Sequence, residues 1–241
     1  MLLLYHLWLS PGCRKVRLAL TEKKLEFEMQ IEKIWERSPE FLALNPTGEV
    51  PVLVDEDGTK VCGSQTICEY LDEMYGDPPL IGTGAVERAE VRRLIEWFDR
   101  KFQDEVIANL VDEKIMKRFL GLGEPNSHAI RAGIRNIHTH LDYVSWLVDR
   151  RSWLAGEDMS LADLCAAAHL SCVDYLGDVP WNDHPAAKDW YARIKSRPSF
   201  RPLLAEQGEL FDRETGEAPP APTSADEGRK LLNRIDAEIN F

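Results

Sequence analysis

Two residues near the start of the chain, Ser10 and Cys13, could carry chemistry because both stand at the beginning of a predicted helix. The pair Ser10-Pro11 is typical of a helix start, with Ser as the N-cap and Pro in the first turn. The free N–H groups and the dipole of a helix N-terminus favour an anion. A hydroxyl at this place could therefore stabilise an anionic ligand atom, and an exposed thiol could ionise more readily than usual.

Each of these residues also has a purely structural interpretation. Ser10 would then act only as a helix cap, and Cys13 would be a small buried apolar residue. Both interpretations stay open at this point. No second cysteine stands at CxxC spacing from Cys13, so a dithiol mechanism is excluded.

The pair Val50-Pro51 lies between a loop and a predicted strand. Proline has no N–H, and an X–Pro bond adopts the cis form at little cost. We predict that this peptide bond is cis.

The elements that position these residues follow two patterns. Residues 1–80 read strand, helix, strand, a helix capped by Ser38, two strands at 50–54 and 59–62 around Asp57-Gly58, and a helix capped by Ser64. This order predicts an α/β thioredoxin-like domain. After a linker at 81–85, residues 86–212 show only helical periodicity and predict an all-α domain. One of its apolar helix faces is formed by Ile130, Ile134, Ile137 and Leu141. A capping box at Ser160 opens the most apolar of its helices.

A different composition marks the end of the chain. Residues 213–225 are rich in Pro, Gly and acid and predict an extended linker. Residues 226–241 carry apolar side chains at helical spacing and predict a short amphipathic helix: Leu231, Leu232, Ile235, Ile239 and the final Phe241. A free helix of this length is marginal in water, so we expect it to dock on this chain, a second subunit or a partner.

Charge and composition exclude some functions. The net charge of −12 and the absence of a Lys/Arg stripe argue against a nucleic-acid partner. No apolar run is long enough to insert in a membrane, and the apolar start is interpreted as a first strand rather than a signal peptide. Five cysteines, an odd number without CxxC spacing, indicate a reducing compartment and hence the cytoplasm.

Other candidate sites are weak. His138 and His140 are two residues apart on a helix and face different ways, so they are not a ligand pair. Cys165, Cys172 and His169 are interpreted as core residues. The sequence shows no P-loop, no dinucleotide motif and no metal-ligand cluster, so we expect no metal site.

Residues 1–212 as a whole resemble the cytosolic glutathione-transferase superfamily. The matching segments are Ser10 to Arg17, Asn45 to Leu53, Gly63-Ser64 leading to Tyr70-Leu71, Trp153 to Gly156, Ser160 to Asp163, and Arg197 to Phe200. Each segment alone is weak, but their order and spacing are specific. The resemblance implies the glutathione-transferase fold, a homodimer, and a glutathione site formed by Ser10, Cys13, Glu49, Val50, Pro51, Gly63 and Ser64.

Two residues of that implied site depart from the superfamily pattern. Relatives often carry Lys or Gln at position 49 for the glycyl carboxylate of glutathione, and an acidic residue or Gln at position 63 for its amine. Glu49 would repel the carboxylate, and Gly63 has no side chain. Two lost charged hydrogen bonds weaken binding by roughly 10²–10⁴-fold. The alternative is that other side chains compensate, because these positions vary among active transferases.

Within the superfamily, the segments Leu4 to Leu9 and Glu32 to Arg37, with the appended tail, resemble a branch that acts in bacterial division by binding filaments of the tubulin-like protein FtsZ. This implies a non-catalytic adaptor that contacts its partner through Trp35, Arg37, Leu231, Leu232, Ile235 and Phe241. Trp35 could equally fold back over the following helix. The second function left open is a glutathione-dependent transferase with Ser10 as the catalytic residue and glutathione as its cofactor.

Overall fold

The computed structural model describes residues 1–117 and 122–204. The first part is a four-stranded sheet with three helices, as the sequence predicts. Its elements are β1 (Leu2–His6), α1 (Pro11–Glu22), β2 (Phe27–Ile31), α2 (Pro39–Leu44), β3 (Val52–Val54), β4 (Lys60–Cys62) and α3 (Ser64–Met74). The strand order is β2-β1-β3-β4, with β1 parallel to β2 and antiparallel to β3, while β4 pairs antiparallel with β3.

The second part is helical throughout the residues described. Its helices are α4 (Ala85–Glu96), α5 (Trp97–Met116), α6 (Ser127–Val148), α7 (Leu161–Tyr175) and α8 (Pro185–Lys195). Helix α5 continues α4 without a break and is wound as a π-helix. No helix among the described residues is both long enough and apolar enough to cross a membrane.

Polar caps start several of these helices. Ser10 Oγ accepts a bond from Cys13 N at 3.3 Å, and Ser38 Oγ accepts one from Phe41 N at 3.2 Å. The capping box at Ser160 is present, with Asp163 Oδ2 accepting from Ser160 N at 3.0 Å. Asp163 is buried and also accepts from Trp190 Nε1 at 2.9 Å, so this cap ties α7 to α8.

The core is continuous across the two parts. Helix α7 is buried along most of its length, and α1 lies between the sheet and α7. Polar groups cross this contact as well, because the guanidinium of Arg14 on α1 donates to Ser171 Oγ on α7 at 2.7 Å. The residues of α1 are therefore held by both domains.

Three local predictions are corrected by the structure. Ser64 does not cap α3: Gly63 is the N-cap and Ser64 is the first helical residue. Strand β3 begins at Val52 instead of Val50, because Pro51 has no N–H to give to the ladder. Ile134, predicted on the buried face of α6, is 43% exposed, since the buried stripe passes through Gly133 and Ile137.

Candidate functional site

Ser10 ends the loop after β1 and begins α1. Its hydroxyl oxygen accepts the Cys13 N–H, which is the N-cap bond that the sequence predicts. A hydroxyl that accepts one bond can still donate its own hydrogen. The capping role of Ser10 is therefore compatible with donation to an anionic ligand atom at the helix N-terminus.

The start of α1 lies close against two other segments. A Cβ atom built on Gly12 would lie 3.2 Å from Ser64 Cβ and 3.6 Å from Pro51 Cδ. A larger residue at position 12 would therefore push these segments apart. We call Ser10, Gly12, Pro51 and Ser64 the Ser10 corner, which the fold assembles from α1, the loop before β3 and α3.

The Val50–Pro51 bond is cis, which confirms the prediction. The turn before it is held by Asn45, whose Nδ2 donates to Glu49 O at 2.8 Å and whose Oδ1 accepts from Thr47 N at 3.3 Å. After it, Pro51 O accepts from Gly63 N at 3.1 Å. A second cis bond, Asp77–Pro78, was not predicted.

Glu49 and Gly63 flank the Ser10 corner, and we call them the rim. The side chain of Glu49 is exposed. Gly63 has a φ of 88°, which side-chain-bearing residues rarely adopt, and only Thr66 Oγ1, at 3.8 Å, lies within 4 Å of a Cβ built there. The rim thus has one acidic side chain and one vacant position with room for a side chain.

Cys13 does not face the Ser10 corner as an exposed thiol. It is fully buried, and Leu7 N donates to its sulfur at 3.4 Å. Burial raises its pKa to about 11. Of the two interpretations of Cys13, the structure therefore supports the small buried residue and not the exposed thiol.

Trp35 lies in a 3-10 turn (Ile34–Glu36) between β2 and α2, and it is half-buried. Arg37 follows with a φ of 47° and an exposed side chain. Its Nη1 lies 3.4 Å from where a Cβ atom on Gly48 would be. The fold therefore brings Arg37 next to the turn that carries Glu49, which the sequence did not predict. The tail residues Leu231, Leu232, Ile235 and Phe241 lie outside the described residues.

Sequence reasoning missed an aromatic surface formed by α5 and α6. The rings of Trp97 and Tyr143 are 4.5 Å apart, and those of Tyr143 and Trp146 are stacked at 6.2 Å. Arg150 lies over the Trp146 ring at 4.5 Å, and Arg93 donates to the Tyr143 hydroxyl at 2.8 Å. Trp146 is 49% exposed. Tyr143 and Trp146 at i, i+3 were the available signal.

Sequence reasoning also missed two groups of buried polar residues. Asp99 on α5 meets Cys165 and His169 on α7, which only the tertiary fold brings together. Further along α5, burial and then the Glu113 charge raise the pKa of Asp112 to about 6. The spacing of Cys165 and His169, one helical turn apart, was the only local signal for the first group.

Two family sequence models match the chain. The model of the glutathione S-transferase N-terminal domain matches residues 4–79, and that of the C-terminal domain matches residues 136–198. These spans cover the sheet with α1 to α3 and most of the helical part that follows α5.

Individual relatives match over most of the chain. FtsZ-localized protein A from Caulobacter vibrioides is 50% identical, covering 90% of this chain and 94% of its own length. Glutathione S-transferase 2 from Saccharomyces cerevisiae is 28% identical over 84% of this chain and 89% of its own length.

Solved structures agree with these relatives. A glutathione S-transferase from Rhodospirillum rubrum F11 is 56% identical, with a TM-score of 0.85 over 94% of this chain and 99% of its own. FzlA from C. crescentus is 49% identical, with a TM-score of 0.83 over 91% of this chain and 96% of its own.

Proposed function

Since this chain belongs to the glutathione S-transferase family, we propose that it has kept the fold as a dimeric adaptor for FtsZ filaments in bacterial division. The observation that carries the proposal is the 50% identity, over 94% of the relative's length, to a protein named for its localisation with FtsZ. The adaptor would act in the cytoplasm, at the division site.

The rim supports a role other than catalysis. At this place the glycyl carboxylate of glutathione would meet Glu49, and its γ-glutamyl amine would find no side chain at Gly63. Two lost charged hydrogen bonds correspond to roughly 10²–10⁴-fold weaker binding. The backbone of Val50 and the hydroxyl of Ser64 would still reach a ligand, so the site is weakened and not erased.

Trp35 and Arg37 are proposed as partner contacts in the described part of the chain. Trp and Arg are enriched among residues that dominate binding energy at interfaces. Arg37 is exposed and Trp35 is half-buried beside charged Lys33 and Glu36, which pair at 3.3 Å. An aromatic anchor with a polar surround fits a protein contact better than a small-molecule pocket.

Co-sedimentation with assembled FtsZ filaments tests the adaptor function. We expect the wild-type chain to pellet with filaments and the variants Trp35→Ala and Arg37→Glu to lose at least about tenfold in affinity, the usual loss at a hot spot. Arg201→Glu, which makes the same charge change at another exposed position, serves as the control. If the wild-type chain does not bind the filaments at any salt concentration, the adaptor proposal is wrong.

The tail 226–241 is proposed as a docking segment, on sequence grounds alone. Its deletion distinguishes the surfaces it could bind. An unchanged Tm with lost filament binding indicates a partner motif, whereas a lower Tm indicates docking on this chain. No change in Tm, oligomeric state or filament binding would contradict the docking proposal.

The homodimer is proposed to form through the aromatic surface. Trp146 is exposed there, and the rings and guanidinium groups hold one another in place. Light scattering should give a dimer for the wild type and a monomer for Trp146→Glu. The control Ile134→Glu changes an exposed apolar residue on the same helix and should stay dimeric. A dimeric Trp146→Glu variant would place the contact elsewhere.

A glutathione-dependent transferase is the second candidate, and the geometry of Ser10 favours it. The Ser10 hydroxyl can donate to a thiolate while it caps α1. A conjugation assay with an aryl halide tests this function. If the wild type turns over and Ser10→Ala does not, the result favours the transferase. If the wild type does not turn over, the transferase is excluded and the adaptor function remains.

A further inference from the structure

A buried cluster beneath α1 brings together a carboxylate, a thiol and an imidazole. Ligand atoms of Asp99, Cys165 and His169 all lie within 4.8 Å of one another. Cys165 Sγ lies 3.2 Å from Asp99 Oδ1, and His169 Nε2 lies 3.8 Å from the same oxygen. Cys165 and His169 are buried, whereas the side chain of Asp99 is 25% exposed and marks the side open to solvent.

The hydrogen bonds of His169 leave one ring nitrogen directed at Asp99. His169 Nδ1 lies 2.9 Å from Cys165 O. A carbonyl oxygen only accepts, so Nδ1 carries the hydrogen and Nε2 presents its lone pair. Metal-ligating histidines are held in the same way, with the second ring nitrogen donating to a backbone carbonyl.

Two separations in the cluster are close to those expected around a tetrahedral zinc ion. Zinc binds sulfur at about 2.3 Å and nitrogen or oxygen at about 2.0–2.2 Å, which places neighbouring ligand atoms about 3.3–3.6 Å apart. The observed 3.2 Å and 3.8 Å lie on either side of that range. Cys165 Sγ lies 3.8 Å from His169 Nδ1, so the imidazole must shift for Nε2 and the sulfur to bind the same ion. Three protein ligands leave a fourth position for water.

Lys15 is the main argument against a cation here, because its buried ammonium pairs with Asp99. It contacts Oδ2, however, while Oδ1 faces Cys165 and His169. The charges of Lys15 and Asp99 cancel each other without metal. A zinc ion that replaces the thiol proton adds one positive charge. Loss of a proton from the zinc-bound water, whose pKa is about 7, removes this added charge.

We propose that Asp99, Cys165 and His169 form a zinc site that joins α5 to α7. On binding, the S–H bond of Cys165 breaks, its proton passes to solvent, and a Zn–S bond forms without any electron transfer. Lys15 holds the other oxygen of Asp99 and belongs to the thioredoxin-like part of the chain. An occupied site therefore also fixes the contact between the two parts. This inference does not depend on the partner proposed above.

Metal titration of the full-length, metal-stripped protein tests the site. We expect calorimetry to give one Zn²⁺ per chain and a higher Tm with zinc, because a ligand that binds only the folded state stabilises it. Co²⁺ in place of Zn²⁺ should show a near-ultraviolet thiolate-to-cobalt band. Cys165→Ser should lose that band and at least tenfold in affinity. Cys172→Ser, a buried thiol seven residues along the same helix, should change neither.

Two further variants separate this site from adventitious binding and from misfolding. His138 Nδ1 lies 2.9 Å from His184 Nε2, so this pair is the competing place for a metal, and His138→Ala should leave zinc affinity unchanged. Lys15→Met removes the opposing cation and should tighten zinc binding at least tenfold. The cobalt band of the wild type requires no variant to fold. No stoichiometric binding, no thiolate band, or binding lost only in His138→Ala would overturn the proposal.

Discussion

The Ser10 corner and the rim lie side by side but differ in how many contacts of the proposed glutathione site they could supply. In the Ser10 corner the hydroxyl caps α1, the Val50–Pro51 bond is cis, and Gly12 allows Ser64 to approach closely. In the rim an acid stands at Glu49 and no side chain at Gly63. The side chains of the corner also hold α1, α3 and β3 together, whereas the rim residues are tied to the fold through their backbone, at Glu49 O and Gly63 N. The corner residues therefore serve the fold whether or not a ligand binds there.

Restoring the missing side chains of the rim should have the largest effect on glutathione affinity. We expect Glu49→Lys with Gly63→Gln to raise glutathione affinity by roughly 10²–10⁴-fold, because each change restores a charged hydrogen bond of about 1.5–3 kcal/mol. Calorimetric titration measures the gain. An affinity equal to that of the wild type would mean that the Ser10 corner, too, has lost its geometry.

Matched substitutions elsewhere control for charge and backbone effects. Glu28→Lys changes an exposed acid, and Gly58→Gln fills a glycine with a φ of 85° and nothing within 4 Å of its Cβ, much like Gly63. This control pair should leave glutathione affinity unchanged. Gly58→Gln and Gly63→Gln should each lower the free energy of unfolding by about 1–2 kcal/mol, the cost of a left-handed non-glycine residue.

Asp112, on α5, offers a comparison from the helical domain. It is a partly buried carboxyl that belongs neither to the Ser10 corner nor to the rim. Burial raises its pKa from 3.8 to about 6, so the folded state favours the neutral form, and this contribution is lost as pH rises through about 6. Asp112→Asn should therefore increase the free energy of unfolding by about 1–3 kcal/mol near neutral pH. Urea unfolding should show the gain shrinking towards pH 4. A pH-independent gain would assign the effect to packing.

Ser10→Ala probes the corner with the smallest effect. If Ser10 is only a cap, the change should cost at most about 1 kcal/mol in the free energy of unfolding. Filament binding should not change. Ser10→Thr, which keeps a capping hydroxyl, is the control. A loss of filament binding in Ser10→Ala at unchanged Tm would connect the corner to the partner surface.

The sequence predicts correctly those features that depend on residues close together in the chain. The caps at Ser10, Ser38 and Ser160 each bond within three residues, so the sequence predicts those helix starts correctly. Proline permits the cis Val50–Pro51 bond but does not impose it, and the cis Asp77–Pro78 bond was not predicted. The start of β3 was predicted two residues early, because the missing N–H of Pro51, which keeps it out of the ladder, was not taken into account.

Contacts between distant segments escaped prediction. Asp99 lies 66 residues from Cys165, and no sequence pattern near either residue predicts their contact. Arg37 was predicted as a partner contact, but its closeness to Gly48 depends on how α2 folds back. The burial of Cys13 is likewise tertiary, because the same helix position is exposed or buried according to what packs over it.

Calorimetric titration of the wild-type chain with glutathione is the most direct test of the contrast between the Ser10 corner and the rim. The two contacts missing at Glu49 and Gly63 predict a dissociation constant in the millimolar range or weaker, from a loss of roughly 10²–10⁴-fold. A micromolar dissociation constant would contradict it, and would make Ser10 a catalytic residue in an intact transferase site.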